Sequence, residues 1–395
     1  MRRGSRLLLV GAAIAGSAAF VSLLTLAGSV SEGPIGAALD RIGTVIGSME
    51  HGIRGRLAGP GRSGDLLWFA PYRQDIERLK RPGAVLLGAY DSELSGTFEG
   101  VVEIERHIQT TFPLVHVYTA WGDKPGQRFP LRLATAIWNL GSVPVITWEP
   151  WLTDFESTQH PSLPLRDARE RHGLAAVARG DYDFYVDGWA ADAARFGKPL
   201  FLRFAHEMND PYRYPWGPQN NTTAEYIAAW RHVVDRFRLA GVRNVIWVWS
   251  PHVAYASFET YYPGNEYVDW VSTGALNYGP IAQWSQWWTF AEIFGTKYTP
   301  LASFGKPVMI AEFASLEVGG DRATWYRDAL TDLPRKHPAV QAVLFFHARV
   351  DQTVTQQQVD WSITRAPEIA RTIADAIQPW TPARGASRTA PAPDR

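Results

Sequence analysis

Gly197-Lys198-Pro199-Leu200-Phe201-Leu202-Arg203-Phe204-Ala205-His206-Glu207-Met208-Asn209 is the stretch that decides the fold. From Pro199 the run is almost continuously apolar, the mark of a strand buried on both faces. A helical pattern, Asp181–Phe196, precedes it, and Gly197 stands where that helix should end. A second helical pattern, Thr222–Ala240, follows, with Tyr226, Ile227, Trp230, Val233, Val234 and Phe237 on its apolar face. Gly241 closes it and another apolar run, Asn244–Pro251, begins. Strand, helix and strand in that order make a parallel crossover.

The same unit repeats outward in both directions. Further strand candidates are Val85–Asp91, Leu114–Trp121 and Val143–Pro150 upstream, and Val268–Tyr278, Pro307–Ser315 and Ala339–Arg349 downstream. Eight alternating units between Leu66 and Gln378 predict an α/β fold, the (β/α)8 TIM barrel. A doubly wound open sheet would usually carry a Gly-rich phosphate loop after an early strand, and the sequence has none. A barrel places its chemistry at the C-terminal ends of the strands.

Those ends hold Asp91 and Glu93; Trp121; Trp148, Glu149 and Trp151; His206, Glu207 and Asn209; Trp249, Ser250 and His252; Asn277 and Tyr278; Glu312; and His347, Arg349 and Asp351. Two carboxylates stand out. Glu207 ends the fourth apolar run and Glu312 ends the seventh. A buried carboxylate without a partner costs several kcal/mol, so each should lie at a mouth or in an ion pair, for instance Glu207 with Arg203. On opposite walls of one barrel, the pair is the minimal equipment for glycoside hydrolysis.

Composition narrows the classes. The 395 residues balance 39 Lys+Arg against 39 Asp+Glu. No basic cluster is present, which argues against nucleic acid. The absence of cysteine excludes a thiol nucleophile, a Cys-rich zinc site and disulfides. Seventeen Trp beside 15 Tyr and 18 Phe suit stacking on sugar rings, though many must belong to the core.

The run Leu202–Asn209, followed by Tyr214-Pro215-Trp216-Gly217, resembles the acid/base segment of glycoside hydrolase family 26, the endo-β-mannanase family. Tyr261-Tyr262-Pro263-Gly264, then Tyr267-Val268-Asp269-Trp270 and Asn277-Tyr278, resemble its sixth-strand region. Pro307-Val308-Met309-Ile310-Ala311-Glu312-Phe313 resembles its nucleophile strand. The resemblance implies a retaining, endo-acting hydrolase that needs no cofactor and no metal. It makes Glu207 the acid/base and Glu312 the nucleophile. It makes His206 a group that holds the sugar or the carboxylates, Tyr278 a hydrogen-bond donor to Glu312, and Trp216 part of a stacking floor. Asn209, Trp121, Trp148, Trp151 and Trp249 are further expected substrate contacts. For Trp249, which shares a strand face with Trp247, that face is either the barrel interior or the helix layer.

Two departures bear on the substrate. Asp210-Pro211 follows Asn209 where a glycine is common in the family, and the eighth strand ends Phe345-Phe346-His347-Ala348-Arg349 where a tryptophan is expected. Mannan is the family default, with mixed-linkage β-glucan, β-1,3-xylan or a bacterial exopolysaccharide as alternatives.

Arg2, Arg3 and Arg6 precede an uncharged run from Leu7 to Gly28, so residues 1–29 fit a cleaved signal peptide or a retained membrane anchor. Either places the body outside the cytoplasm. Residues 30–65 read as a linker, 66–378 as the catalytic barrel, and 379–395 as a disordered tail. Two rival classes are a metal-dependent hydrolase using His206, His252 and His347, and a glycan-binding protein without turnover. The expected partner in all but the metal case is a polysaccharide.

Overall fold

A computed structural model describes residues 62–92, 98–282, 284–352, 355 and 357–380. Eight parallel strands close into a barrel in chain order: β1 (Leu86–Asp91), β2 (Leu114–Ala120), β3 (Val143–Glu149), β4 (Leu200–Phe204), β5 (Val245–Trp249), β6 (Trp270–Asn277), β7 (Val308–Ser315) and β8 (Val340–His347). β8 returns to pair with β1, with Leu86 opposite Ala342 and Asp91 opposite His347. The expected strands are all present, most within a residue or two. The exception is β4, which ends at Phe204 and leaves His206, Glu207 and Asn209 in the turn beyond it.

The crossovers carry α1 (Glu99–Ile108), α2 (Leu131–Asn139), α3 (Gly173–Arg179), α4 (Asp183–Phe196), α5 (Thr223–Leu239), α6 (Thr296–Ala302) and α7 (Arg322–Leu330), and α8 (Pro367–Ile377) follows β8. α5 starts at a reciprocal cap in which Thr222 accepts from the Glu225 amide and Glu225 accepts from the Thr222 amide. Gly197 and Gly241 follow α4 and α5 with φ of 62° and 73°, a left-handed exit that costs glycine nothing. Between β5 and β6 the connection holds two short 3₁₀ turns and no α-helix.

Alternation along the strands sorts the side chains into two cores. Leu86, Leu114, Val145, Phe201, Ile246, Trp270 and Met309 point inward, where Leu66, Phe69 and Leu79 join them. The residues that alternate with these inward ones, such as Val115 on β2, Ile146 and Trp148 on β3 and Phe345 on β8, face the helices instead. Trp270 Nε1 donates to the Leu79 carbonyl at 3.1 Å, which ties the N-terminal segment to the barrel floor.

The packed body begins ahead of the expected boundary at Leu66. Arg62 is buried, and its guanidinium bonds both oxygens of Glu105 at 2.8 and 3.0 Å, so residues 62–65 belong to the barrel and not to a linker. At the other end Gln378–Trp380 forms a final turn and Trp380 packs on the helix-layer core, inside the expected tail. The expected signal or anchor, the rest of the linker and residues 381–395 lie outside the described residues. Among the described residues, no helix is long and apolar enough to cross a membrane.

Candidate active site

The C-terminal mouth is built on inward positions. Arg203, one residue before the end of β4, is fully buried and reaches across the barrel to Glu312 Oε1 at 2.7 Å. The same guanidinium bonds Ser250 Oγ at 2.9 Å and Thr147 Oγ1 at 3.3 Å, which fixes its plane. Tyr118, inward on β2, donates its hydroxyl to the same Glu312 oxygen at 2.9 Å. Glu312 Oε1 thus holds two strong donors, and Oε2 is left for other work.

Glu312 reaches this position because β7 slips. Thr273 pairs with Ile310 and Gly274 with Glu312, so one residue of β7 is extra. The register against β8 shifts over the same residues, from Ile310 opposite Val343 to Phe313 opposite Phe345. The slip turns Glu312 inward after Met309 and Ala311 and sends Phe313 to the helix layer.

Glu207 comes from the turn after β4. Ala205 and Glu207 both have positive φ, 43° and 53°, a conformation that non-glycine residues rarely adopt. The Glu207 amide donates to the Ser250 carbonyl at 2.7 Å, which pins the turn to the end of β5. Its Oε2 is buried with no hydrogen-bond partner, and Arg213 Nη1 stands 3.6 Å away. The expected Arg203–Glu207 bridge is not formed; Arg203 pairs with Glu312 instead.

Gly274 separates the two carboxylates. A Cβ at that position would lie 3.7 Å from Glu207 Oε1 and 4.0 Å from Glu312 Oε2. The two oxygens therefore face one small space and cannot be farther apart than the sum of those distances. A glycine inside a strand is a signal of close approach by a ligand or another chain segment, and here it keeps the gap open.

Electrostatics assign different states to the groups. Burial alone would raise the Glu312 carboxyl, but the charge and hydrogen bond of Arg203 overcome it and hold the acid well below the usual carboxylate range. Burial and the negative charge of Glu312 push the Tyr118 phenol up, so it stays a donor. Burial and then Arg203 hold His206 well below its ordinary value, so the imidazole is neutral. His206 Nε2 meets the Tyr214 hydroxyl at 3.0 Å and lies 3.9 Å from Glu149 Oε1. Glu149, inward at the end of β3, is a third carboxylate in the mouth. Burial pushes it up, and Trp151 Nε1 donates to its Oε2 at 3.2 Å.

Several expected contacts have other places. Tyr278 does not bond Glu312; that bond belongs to Tyr118, and the Tyr278 ring packs edge-on against Trp361 at 4.9 Å. Trp361, fully buried after β8, also packs against Phe346 of that strand, and Trp284 meets the Tyr278 ring at 5.2 Å. Trp216 is 2 % exposed, stacks on Tyr214 at 4.5 Å and donates to the His206 carbonyl at 2.7 Å, so it supports the turn and is not an open floor. Trp121, Trp148 and Trp249 have no exposed surface. Each stands one residue out of the inward phase and fills the helix layer, Trp121 and Trp148 against Phe204 and Tyr185, Trp249 against Tyr262 and Phe304. Asn209 clamps two loops, exchanging 2.8 Å bonds with the His252 backbone in both directions. Of the expected tryptophans, Trp151 remains beside the mouth, half-buried next to Glu149.

Sequence reasoning passed over Tyr118, Arg203 and Gly274 as parts of the site. Their signal is positional: Tyr118 and Arg203 share the inward phase of their strands, and Gly274 interrupts an apolar run. Of the three strand-end histidines, His347 is buried and its Nδ1 accepts from the Ile363 amide at 3.3 Å. Among the described residues, His206, His252 and His347 do not come together as a ligand group.

The family model described as glycosyl hydrolase family 26 matches residues 185–313, which span β4 to β7 and both glutamates. Endoglucanase H of Acetivibrio thermocellus is 33% identical over 308 residues, 74% of this chain and 31% of that protein. The chain belongs to glycoside hydrolase family 26. Another relative, mannan endo-1,4-beta-mannosidase A and B of Caldalkalibacillus mannanilyticus, is 30% identical over 128 residues, 31% of this chain and 23% of that protein. This family 26 chain thus spans about a third or less of the length of either relative. Among solved structures, a family 26 β-mannanase from Bacteroides ovatus shares the fold, with a TM-score of 0.55 at 16% identity, covering 78% of this chain and 91% of that one.

Proposed function

We propose that the chain is a retaining, endo-acting glycoside hydrolase that cleaves internal β-linkages of a mannan or glucan. The observation that carries this reading is the division of labour at Glu312. Arg203 and Tyr118 occupy Oε1, and Oε2 faces Glu207 across the gap beside Gly274. An ionised carboxylate with one free oxygen is equipped to attack an anomeric carbon. Glu207 would protonate the leaving oxygen and then, as a base, activate the water that releases the sugar.

In the first step the bond from Glu312 Oε2 to the anomeric carbon forms as the glycosidic bond breaks, and the proton of Glu207 goes to the departing sugar. In the second, water gives its proton back to Glu207 and its oxygen replaces Glu312, so the configuration is retained. Arg203 stabilises Glu312 whenever it carries charge, which makes it a good leaving group in this second step. Neutral His206, held by Tyr214 and Trp216, offers the sugar a hydrogen bond without adding a competing charge.

Both substrate classes have support: one relative is named an endoglucanase over most of this chain, the other a mannanase over about a third of it. We place the enzyme outside the cytoplasm, on the basic and then apolar order of residues 1–29. A panel of β-mannan, glucomannan, mixed-linkage β-glucan, β-1,3-xylan and bacterial exopolysaccharide, scored for new reducing ends, tests the assignment. Rapid loss of viscosity with few reducing ends, on mannan or glucan, is the expected result. Release of single sugars from chain ends, or binding without any release, would contradict it.

A further inference from the structure

Asp210 is where the sequence departs from its family, and the departure has a chemical consequence. Glu207, Asp210 and His252 each bring one ligand atom to within 4.8 Å of the others. Two carboxylates and an imidazole are a donor set suited to zinc and neighbouring divalent transition metals. Glu207 and Asp210 are each 5 % exposed, and Glu207 Oε2 is a buried oxygen with no hydrogen-bond partner.

The three residues are also held in place. The Asp210 amide bonds the Glu207 carbonyl at 2.9 Å, which folds the turn back on itself. Asn209 grips the His252 backbone from both sides, so the imidazole-bearing loop is fixed to the turn that bears the carboxylates. Asp210 Oδ1 accepts from the Tyr212 amide at 2.8 Å, and the Tyr255 phenol also leans on this carboxylate. The Ala254 amide meets His252 Nδ1 at 3.2 Å, a long contact that an ion would displace or exchange for a proton. Arg213 Nη1, 3.6 Å from Glu207 Oε2, is the cation with which the ion would compete for this carboxylate.

We propose that Glu207, Asp210 and His252 form a binding site for a divalent transition-metal ion, and that the bound ion inhibits hydrolysis by occupying the acid/base. The inhibition rests on the role given to Glu207 above, while the binding does not. Three protein ligands leave a fourth position of a tetrahedral ion open to water. An ion bound to this carboxylate holds it deprotonated, so it cannot deliver a proton and turnover stops although Glu312 is untouched.

Zinc chloride is the probe, used on the full chain by titration calorimetry and, separately, by release of reducing ends. The expected result is one saturable zinc per chain at the concentration that inhibits, with activity restored by a chelator. Asp210→Asn and His252→Gln should each weaken zinc binding by about tenfold or more and raise the inhibitory concentration in step. Both should keep metal-free activity near that of the parent. Zinc binding that is absent in the parent chain, or unchanged in both variants, overturns the site. Binding that weakens in both variants, with full activity of the zinc-saturated parent, upholds the site and overturns Glu207 as the acid/base.

Discussion

Tyr118 and Arg203 decide what Glu312 can do. Both donate to one oxygen, and the buried guanidinium keeps the acid ionised although burial opposes it. Hydrogen bonds to a charged group contribute about 1.5–3 kcal/mol. Tyr118→Phe should therefore lower kcat by about ten- to a hundredfold with little change in the melting temperature. Tyr278→Phe, which removes a hydroxyl that does not bond Glu312, should have a much smaller effect. Steady-state kinetics on the two variants check this, and equal losses would contradict the geometry. Glu207 and Glu312 were legible because a carboxylate closing an apolar run is costly anywhere else. Tyr118 was not, since a tyrosine in the middle of a strand reads as core until its phase around the barrel is known.

Phase is a property of elements, and it explains the tryptophans. Trp121, Trp148 and Trp249 sit at strand ends, as expected of a sugar platform, yet each alternates with inward residues such as Thr147 and Ser250. Position along a strand was readable; which side the side chain takes was not, because an all-apolar strand shows no alternation. The β7 slip is a second such case. Without the extra residue between Ile310 and Phe313, Glu312 would face the helices, and nothing in Met309-Ile310-Ala311-Glu312 announces the slip. Gly274 on the neighbouring strand is its counterpart. Gly274→Ala puts a methyl group at ordinary contact distance from both carboxylates, so the fold should survive while the gap for substrate closes. The expected outcome is an unchanged melting temperature with kcat/KM lower by about tenfold or more. Unchanged turnover would show that the gap is not where the reaction occurs.

For the molecule as a whole, the order of the barrel strands could be read from the sequence, because eight apolar runs separated for the most part by helical periods admit few other closures. The limits of the body were harder to read. Arg62 looks like a linker residue beside glycines, but it enters the barrel through a buried pair with Glu105 that lies 43 residues away in sequence. Trp380 extends the other end in the same way. Long-range pairing of this kind leaves no local trace. The architecture it completes brings two carboxylates with different partners to one gap beside Gly274, Glu312 bonded by Tyr118 and Arg203 and Glu207 bonded by neither. Rescue by azide separates their roles most directly. With an aryl β-glycoside of the preferred sugar and a good leaving group, Glu207→Ala should be rescued by azide to give the β-glycosyl azide, through the intermediate on Glu312. Glu312→Ala should give the α-glycosyl azide, because azide itself attacks where the carboxylate stood. The anomeric configuration of each product is read by proton NMR. These two opposite configurations are the predicted result; rescue with the configurations exchanged, or no rescue of either variant, would contradict the assignment of Glu312 as nucleophile and Glu207 as acid/base.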